Sequence, residues 1–205
     1  MKKIFILIIF IFAITGCNNY SDLNELAIIK SIGISHNDNY VLYAEIIEEI
    51  DKDNNPKMTI YEVNGKSINE LFQNIKKEVN KEIYLSHIDL LLLDFNLNNQ
   101  DFKNINDYFL NHNEFRNDFL CVISKDIKTL LENSKYDEIE ELIETNKENK
   151  DIIRITYEDI IKDLIDYHKF IVSNVEYKNN KIKFLNNYQY QNNKFERILN
   201  ENKKN

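Results

Sequence analysis

The first half of the chain alternates between apolar and polar positions in a way that predicts β-strands. Residues 26–35 and 40–50 are rich in β-branched and aromatic residues, and a short polar cluster between them is typical of a β-hairpin. Residues 57–63 alternate between polar and apolar types and predict a third strand. Residues 83–93 contain a continuous apolar run, so we predict a central strand covered on both faces.

Helical spacing appears between these strands. Ser67, followed three residues later by Glu70, indicates a capping box that opens a helix over 67–81. A second helix, a strand over 118–124 and a short helix over 125–131 follow. The second helix is marked by Phe102, Ile105, Tyr108 and Phe109. The alternation predicts layers of sheet and helix, and hence an α+β domain.

The remainder of the chain is more polar. We predict a surface helix within 134–150, then a helix over 157–168 opened by Thr156 and Asp159, and three short strands joined by Asn-rich turns. The expected fold is a mixed β-sheet layered with amphipathic helices, followed by a small partial β element. We divide the chain into an N-terminal α+β domain (17–133), a helical extension or connector (134–168) and the remnant of a second domain (169–205).

The N-terminus has the pattern of a bacterial lipoprotein signal over residues 1–16. Lys2 and Lys3 precede an apolar run that ends in Ile14-Thr15-Gly16-Cys17. The run is too short for a transmembrane helix, which needs about 20 apolar residues, and it fits a cleaved signal peptide. We expect cleavage before Cys17 and diacylglycerol and N-acyl lipids on this residue, which would hold the chain on the extracytoplasmic face of a membrane.

Composition and charge narrow the possible partners. The 205 residues are 43% hydrophobic, which is enough for a core, and the formal net charge is -8. An acidic chain without a basic patch is a poor partner for nucleic acid or for an anionic membrane surface. We therefore expect no nucleic-acid binding, and membrane attachment through the lipid alone.

Ser86, His87 and Asp89 are the sequence's best match to a catalytic group. A catalytic triad requires its members to converge in space, whereas consecutive residues of a strand point to opposite faces. In the predicted strand His87 and Asp89 share a face and Ser86 does not, which leaves a pair without a nucleophile. We therefore interpret His87 as a structural residue and expect no enzymatic activity.

Metal and cofactor sites are weakly indicated. The four histidines (His36, His87, His112, His168) are scattered, without the spacing of a zinc site. Asp51–Asn55 resembles part of a calcium loop but lacks its glycine and its terminal glutamate. Cys121 lies in an apolar run and is interpreted as a buried hydrophobic residue. Only three glycines are present, so a phosphate-binding loop is not expected either.

Four sequence blocks, in order, resemble the Ger(x)C family, the lipoprotein C subunits of spore germinant receptors. The first is residues 16–34, with Gly16-Cys17 and a Gly33-Ile34 strand. The others are 65–71 (a glycine followed by a helix), 84–93 (an aromatic-x-x-His block and an apolar strand) and 114–124 (Glu-Phe-Arg and a strand). The resemblance covers about residues 16–133, and more loosely extends to about 178. Asn18 and Asn19 replace the family's usual Trp-Asp, and Asn111 replaces an expected arginine.

The resemblance implies a non-enzymatic, lipid-anchored receptor subunit. It would act beside the integral membrane A and B subunits in the spore inner membrane, in nutrient-triggered germination. The chain would be a short form that mainly contains the N-terminal domain, in which His87 and Arg116 stabilise the fold. A stand-alone extracytoplasmic lipoprotein that binds a small solute or an envelope protein is the alternative.

Overall fold

The computed structural model describes residues 26–50, 56–146 and 152–198. Within them, nine β-strands form one mixed sheet, in the order β3-β2-β1-β5-β6-β7-β8-β9, with β4 beside the first residues of β1. The strands are β1 Leu26–His36, β2 Tyr40–Ile50, β3 Pro56–Gly65, β4 Glu82–Tyr84, β5 Leu90–Leu93, β6 Leu120–Ile123, β7 Lys169–Tyr177, β8 Ile182–Gln191 and β9 Lys194–Arg197.

The centre of the sheet is parallel and its two flanks are antiparallel. Strands β1, β5, β6 and β7 run in the same direction, which requires the crossover helices that connect them. Hairpins add β2 and β3 on one flank and β8 and β9 on the other. The helices are α1 Ile68–Glu78, α2 Asn99–Asn111, α3 Ile127–Asn133, α4 Tyr136–Asn146 and α5 Tyr157–Tyr167.

Helices cover both faces of the sheet and create two cores. The larger core lies under α1, α2 and α5, and the smaller core lies under α3 and α4. Strand β5 contributes to both, because Leu91 and Leu93 belong to the larger core while Leu90 and Leu92 belong to the smaller one. The α+β class and the doubly covered central strand predicted from the sequence are therefore confirmed.

The predicted strand over 83–93 is instead two short strands. Strands β4 and β5 both pair with β1, and the residues between them form a turn. After the turn, pairing with β1 resumes at Asp89, whose backbone N–H donates to the carbonyl of Lys30 at 2.9 Å. Ser86 and His87 lie in the turn and not in a strand.

The helix starts follow the predicted caps. Ser67 accepts from the backbone N–H of Glu70, and Thr156 and Asp159 form a complete capping box. The Glu70 carboxylate accepts from the N–H of Lys66, one residue before the cap, so the first box is only half formed.

The C-terminal strands β7, β8 and β9 extend the same sheet. The sequence instead predicted that residues 169–205 are the remnant of a second domain. Strand β7 pairs with β6, and Phe170 and Tyr190 belong to the larger core. Their rings lie 5.5 and 4.8 Å from the ring of Phe102 on α2. Aromatic packing between residues 68 and 88 positions apart in the sequence joins this segment to the preceding fold, and local periodicity does not reveal it.

Candidate functional site

The predicted lipidation site, Cys17, and the calcium-like Asp51–Asn55 segment lie outside the described residues. Among the helices that are described, none combines the length and the apolar character needed to cross a membrane. Lipid attachment at Cys17 therefore stays a prediction from the sequence.

Ser86, His87 and Asp89 do not converge. Asp89 forms an ion pair with Lys30, and the exposed His87 ring lies 5.2 Å from the ring of Tyr84. Neither His87 nor Asp89 lines the cavity between α2 and α5 that is described below. The Asp89 carboxylate thus pairs with Lys30, and the His87 imidazole lies against the Tyr84 ring.

The remaining candidate ligands are also dispersed. No group of three His, Cys, Asp or Glu side chains in the described ranges is arranged to hold a metal ion. Cys121 is buried, and its burial raises the pKa of the thiol well above the usual value. A thiol of this kind is held protonated and unreactive, as expected for a small core residue.

A buried carboxylate that sequence reasoning missed lies at the start of α2. Asp101 is 1% exposed, and its Oδ1 accepts from the Tyr40 hydroxyl at 2.6 Å and lies 2.7 Å from His36 Nδ1. Its Oδ2 accepts from the N–H of Asn98, which completes a capping box. The Asn98-x-x-Asp101 spacing is the sequence signal that could have indicated this cap. The cluster anchors α2 to the β1–β2 hairpin.

An open cavity of about 750 Å³ lies between α2 and α5. This volume is within the range of sites that bind small molecules. The loop before β6 forms its third wall. Its lining residues are Asn106 and Leu110 from α2, Arg116, Asn117 and Asp118 from the loop, and Tyr157, Glu158, Ile161, Lys162, Ile165 and Asp166 from α5.

Backbone hydrogen bonds fix the loop against the first turn of α5. The N–H of Tyr157 donates to the carbonyl of Phe119 at 3.0 Å, and that of Glu158 donates to the carbonyl of Asn117 at 2.9 Å. The Tyr157 ring stacks on Phe119, with 5.2 Å between ring centroids. Two walls of the cavity are therefore parts of one hydrogen-bonded unit.

Unsatisfied polar atoms concentrate around this cavity. Five buried side-chain oxygens have no hydrogen-bond partner within the described ranges, and three of them belong to residues that line it: Asn106 Oδ1, Asn117 Oδ1 and the Tyr157 hydroxyl. Tyr157 is 1% exposed, and its burial raises the pKa of the phenol, which keeps the hydroxyl protonated. A buried polar atom without a partner costs about 1–3 kcal/mol, so such a concentration calls for an explanation.

The rim of the cavity combines charged and apolar side chains. Arg116 donates two hydrogen bonds to Asp118, at 3.1 and 2.6 Å, which raises the pKa of Arg116 and lowers that of Asp118. Leu110 is 58% exposed and Ile165 is 70% exposed. The apolar stripe of α5 thus continues past the core into the cavity wall.

Comparison with known proteins shows the family. The sequence profile of the spore germination protein N-terminal domain matches residues 19–177. The match covers most of the chain and includes most of both cores and all the residues that line the cavity. The chain therefore belongs to this family of spore germination proteins, as the four sequence blocks predicted.

One relative extends this result at lower similarity. The chain is 26% identical to spore germination protein KC of Bacillus subtilis (strain 168) over 117 residues, which cover 47% of this chain and 29% of that protein. The chain thus spans less than a third of the length of that relative. No solved structure matches.

Proposed function

We propose that the protein is a non-enzymatic, lipid-anchored subunit of a spore germinant receptor and takes part in nutrient-triggered germination. The observation that carries the proposal is the family match over residues 19–177. Cys17 would carry the diacylglycerol and N-acyl chains, and the domain would lie on the extracytoplasmic face of the spore inner membrane. Its partners would be the integral membrane A and B subunits.

The physical features of the chain are consistent with an anchored binding partner. The full sequence has a formal net charge of -8, and removal of the signal with Lys2 and Lys3 would leave the domain more acidic still. Such a domain has little attraction to an anionic lipid surface, so its position would depend on the lipid anchor. The two cores and the continuous nine-stranded sheet provide a rigid body that could present surfaces to other subunits.

Co-purification tests the receptor proposal. The chain with a C-terminal tag is isolated from detergent-solubilised spore membranes, and its partners are identified by mass spectrometry. We expect multi-span membrane subunits in the eluate, and slower nutrient-triggered germination in a deletion strain. The tagged Cys17→Ala variant is the matched control and should recover fewer membrane partners. Normal germination of the deletion strain, together with an eluate that contains no multi-span protein, would overturn the proposal.

A second candidate function has one observation in its favour. The cavity of about 750 Å³ between α2 and α5 is large enough for a small solute, which a stand-alone lipoprotein binding module would require. The deletion strain separates the two functions, because a stand-alone module would leave germination unchanged.

A further inference from the structure

We propose that the exposed face of α5 binds a second copy of this chain, so that two α5 helices pack antiparallel across a two-fold axis in a homodimer. The inference concerns self-association of the domain, and it depends neither on the lipid anchor nor on assembly into a receptor.

One face of α5 lines the open cavity beside α2. Its residues recur at the i, i+3, i+4, i+7 and i+8 positions that share one side of a helix. They are Glu158, Ile161, Lys162, Ile165 and Asp166. The two isoleucines lie between the charged side chains along this face. An apolar strip with charges beside it is the composition expected of a contact surface.

Exposed apolar surface is concentrated at this place. The described residues include four exposed large hydrophobic side chains, and three of them belong to α2 or α5: Leu110, Ile165 and Tyr167. Leu110 and Ile165 both line the cavity, one from each helix. A single exposed hydrophobic residue is ordinary, whereas neighbouring ones on two helices indicate an interaction site. A helix laid along the groove would remove both side chains from water.

The charges on this face are complementary to those of a second copy. Glu158, Lys162 and Asp166 follow one another about one helical turn apart, in the order negative, positive, negative. Suppose that two antiparallel copies of α5 are related by a two-fold axis at the level of Leu164. Lys162 of one copy then lies opposite Asp166 of the other, because each is two positions from the axis, and the symmetry forms this pair twice.

Both side chains are available for such a pair. Lys162 and Asp166 are exposed, and within the described ranges neither takes part in an ion pair. Opposite charges that meet across an interface fix the register of the two partners and select against other partners. The alternating order of charge on α5 therefore favours a second copy over a partner of uniform charge.

The same register buries the isoleucine. Ile165 is one position from the axis, about 1.5 Å along the helix, so its side chain would meet the Ile165 side chain of the other copy. A two-fold contact closes after two copies and does not propagate into a filament. Each copy contributes little more than one short helix face, so we expect a small interface and a dissociation constant of about 1–100 µM.

Disulfide trapping of the full-length chain in detergent tests the contact. Ile165→Cys would place two thiols next to each other at the axis, and we expect a covalent dimer under mild oxidation, seen on a non-reducing gel. Glu141→Cys is the matched control, because it alters an exposed position of α4, on the opposite face of the sheet. This control also detects chance cross-linking of two lipidated chains in one micelle. Equal cross-linking of the two variants, or none with Ile165→Cys, overturns the proposal.

Charge exchange tests the pairing. Lys162→Asp brings two carboxylates together at each contact, and we expect the dissociation constant, measured by analytical ultracentrifugation, to rise at least about tenfold. Adding Asp166→Lys exchanges the two charges and restores both pairs, so the constant should return to within about threefold of the parent. Both positions are exposed, so both variants should fold, which circular dichroism verifies.

Rescue by the double variant separates pairing between copies from a simple effect of surface charge. Equal dissociation constants for the parent, the single variant and the double variant would overturn the proposal. So would a parent chain that stays monomeric at about 500 µM, above the expected range, including one whose α5 face binds a different protein instead.

Discussion

Ser31 lies directly opposite Glu45 in the β1–β2 pair, and its hydroxyl donates a 2.8 Å hydrogen bond to the Glu45 carboxylate. The same oxygen, Oε2, accepts from the backbone N–H of Tyr136 at 3.3 Å, where α4 begins. Glu45 is 1% exposed, and its burial, which outweighs the lowering effect of these two bonds, raises its pKa to about 7. A single ionisable side chain thus joins the sheet to the helix layer over the smaller core.

Glu45→Gln should stabilise the protein at pH 8 and leave it nearly unchanged at pH 4. Between the ordinary value of 4.5 and about 7, the folded chain keeps a proton that the unfolded chain releases, so stability falls as pH rises through this window. The glutamine carbonyl can accept both hydrogen bonds and cannot ionise. We expect a gain of about 2–3 kcal/mol at pH 8, measured by urea denaturation.

The matched control for this change is Glu82→Gln, which alters an exposed glutamate on β4, the strand that pairs with the first residues of β1. Its effect should be within about 0.5 kcal/mol at both pH values. A Glu45→Gln variant that loses stability at pH 8 would show that the ionised carboxylate contributes favourably, contrary to the raised pKa.

Asp101→Asn should destabilise the fold by about 2–4 kcal/mol, because an amide has only one acceptor for the three groups that now contact the carboxylate. The buried Tyr40 hydroxyl and the N-terminus of α2 compete for it. Urea denaturation at pH 7 measures the loss. Asp107→Asn, an exposed position on the same helix, is the control and should change stability little. Equal effects of the two variants would contradict a structural role of the Asp101 cluster.

Periodicity and capping residues predicted most of this fold. The hairpin of β1 and β2, the buried β5 and the capped helices α1 and α5 all follow from local patterns in the sequence. The placement of β7 to β9 does not, because Phe170 and Tyr190 pack against Phe102 of α2, which lies 68 and 88 residues earlier in the sequence. Short polar strands carry no local signal for the sheet that they will join.

The candidate site was less predictable than the fold. Its unpartnered oxygens come from a helix, a loop and a second helix, at Asn106, Asn117 and Tyr157. No spacing relates these residues in the sequence, and each has an ordinary structural interpretation alone. By contrast, Ser86, His87 and Asp89 are close together in the sequence, which suggested a catalytic group. In the structure they have different partners: the His87 ring lies against Tyr84, and Asp89 pairs with Lys30.

Gly33→Ala should cost about 1–3 kcal/mol, because a Cβ at this position would lie 2.2 Å from Cγ2 of Ile127 on α3. The backbone of Gly33 is extended, so the loss would come from crowding and not from a positive φ. The double variant with Ile127→Ala removes the clashing methyl group and should be more stable than the sum of the single changes predicts. Urea denaturation of the parent, the two single variants and the double variant measures the coupling free energy between the two positions. Strictly additive changes in the free energy of unfolding would contradict the close approach of Gly33 and Ile127.

Asn180→Gly should stabilise the hairpin of β7 and β8 by about 0.5 kcal/mol. Asn179 and Asn180 have φ of 55° and 57° and form a two-residue turn between Lys178 and Lys181. Positive φ at both positions is typical of a type I′ turn, in which glycine is favoured at the second position. Asn180→Val should lose about 1–2 kcal/mol for the opposite reason. A valine variant as stable as the parent, by thermal unfolding, would contradict the turn geometry.

Cys17→Ala should abolish lipid attachment and release the chain from the membrane. The predicted signal places this thiol directly after the cleavage position, where the lipid would be attached. The net charge of the chain is -8, so electrostatic attraction to anionic lipid would not replace the anchor. Membrane fractionation and intact-mass spectrometry of both proteins measure the outcome. Cys121→Ala is the matched control, because that thiol is buried in the core, and the variant should stay lipidated and membrane-bound. Processing and membrane retention of Cys17→Ala equal to those of the parent would show that the chain is anchored by another route.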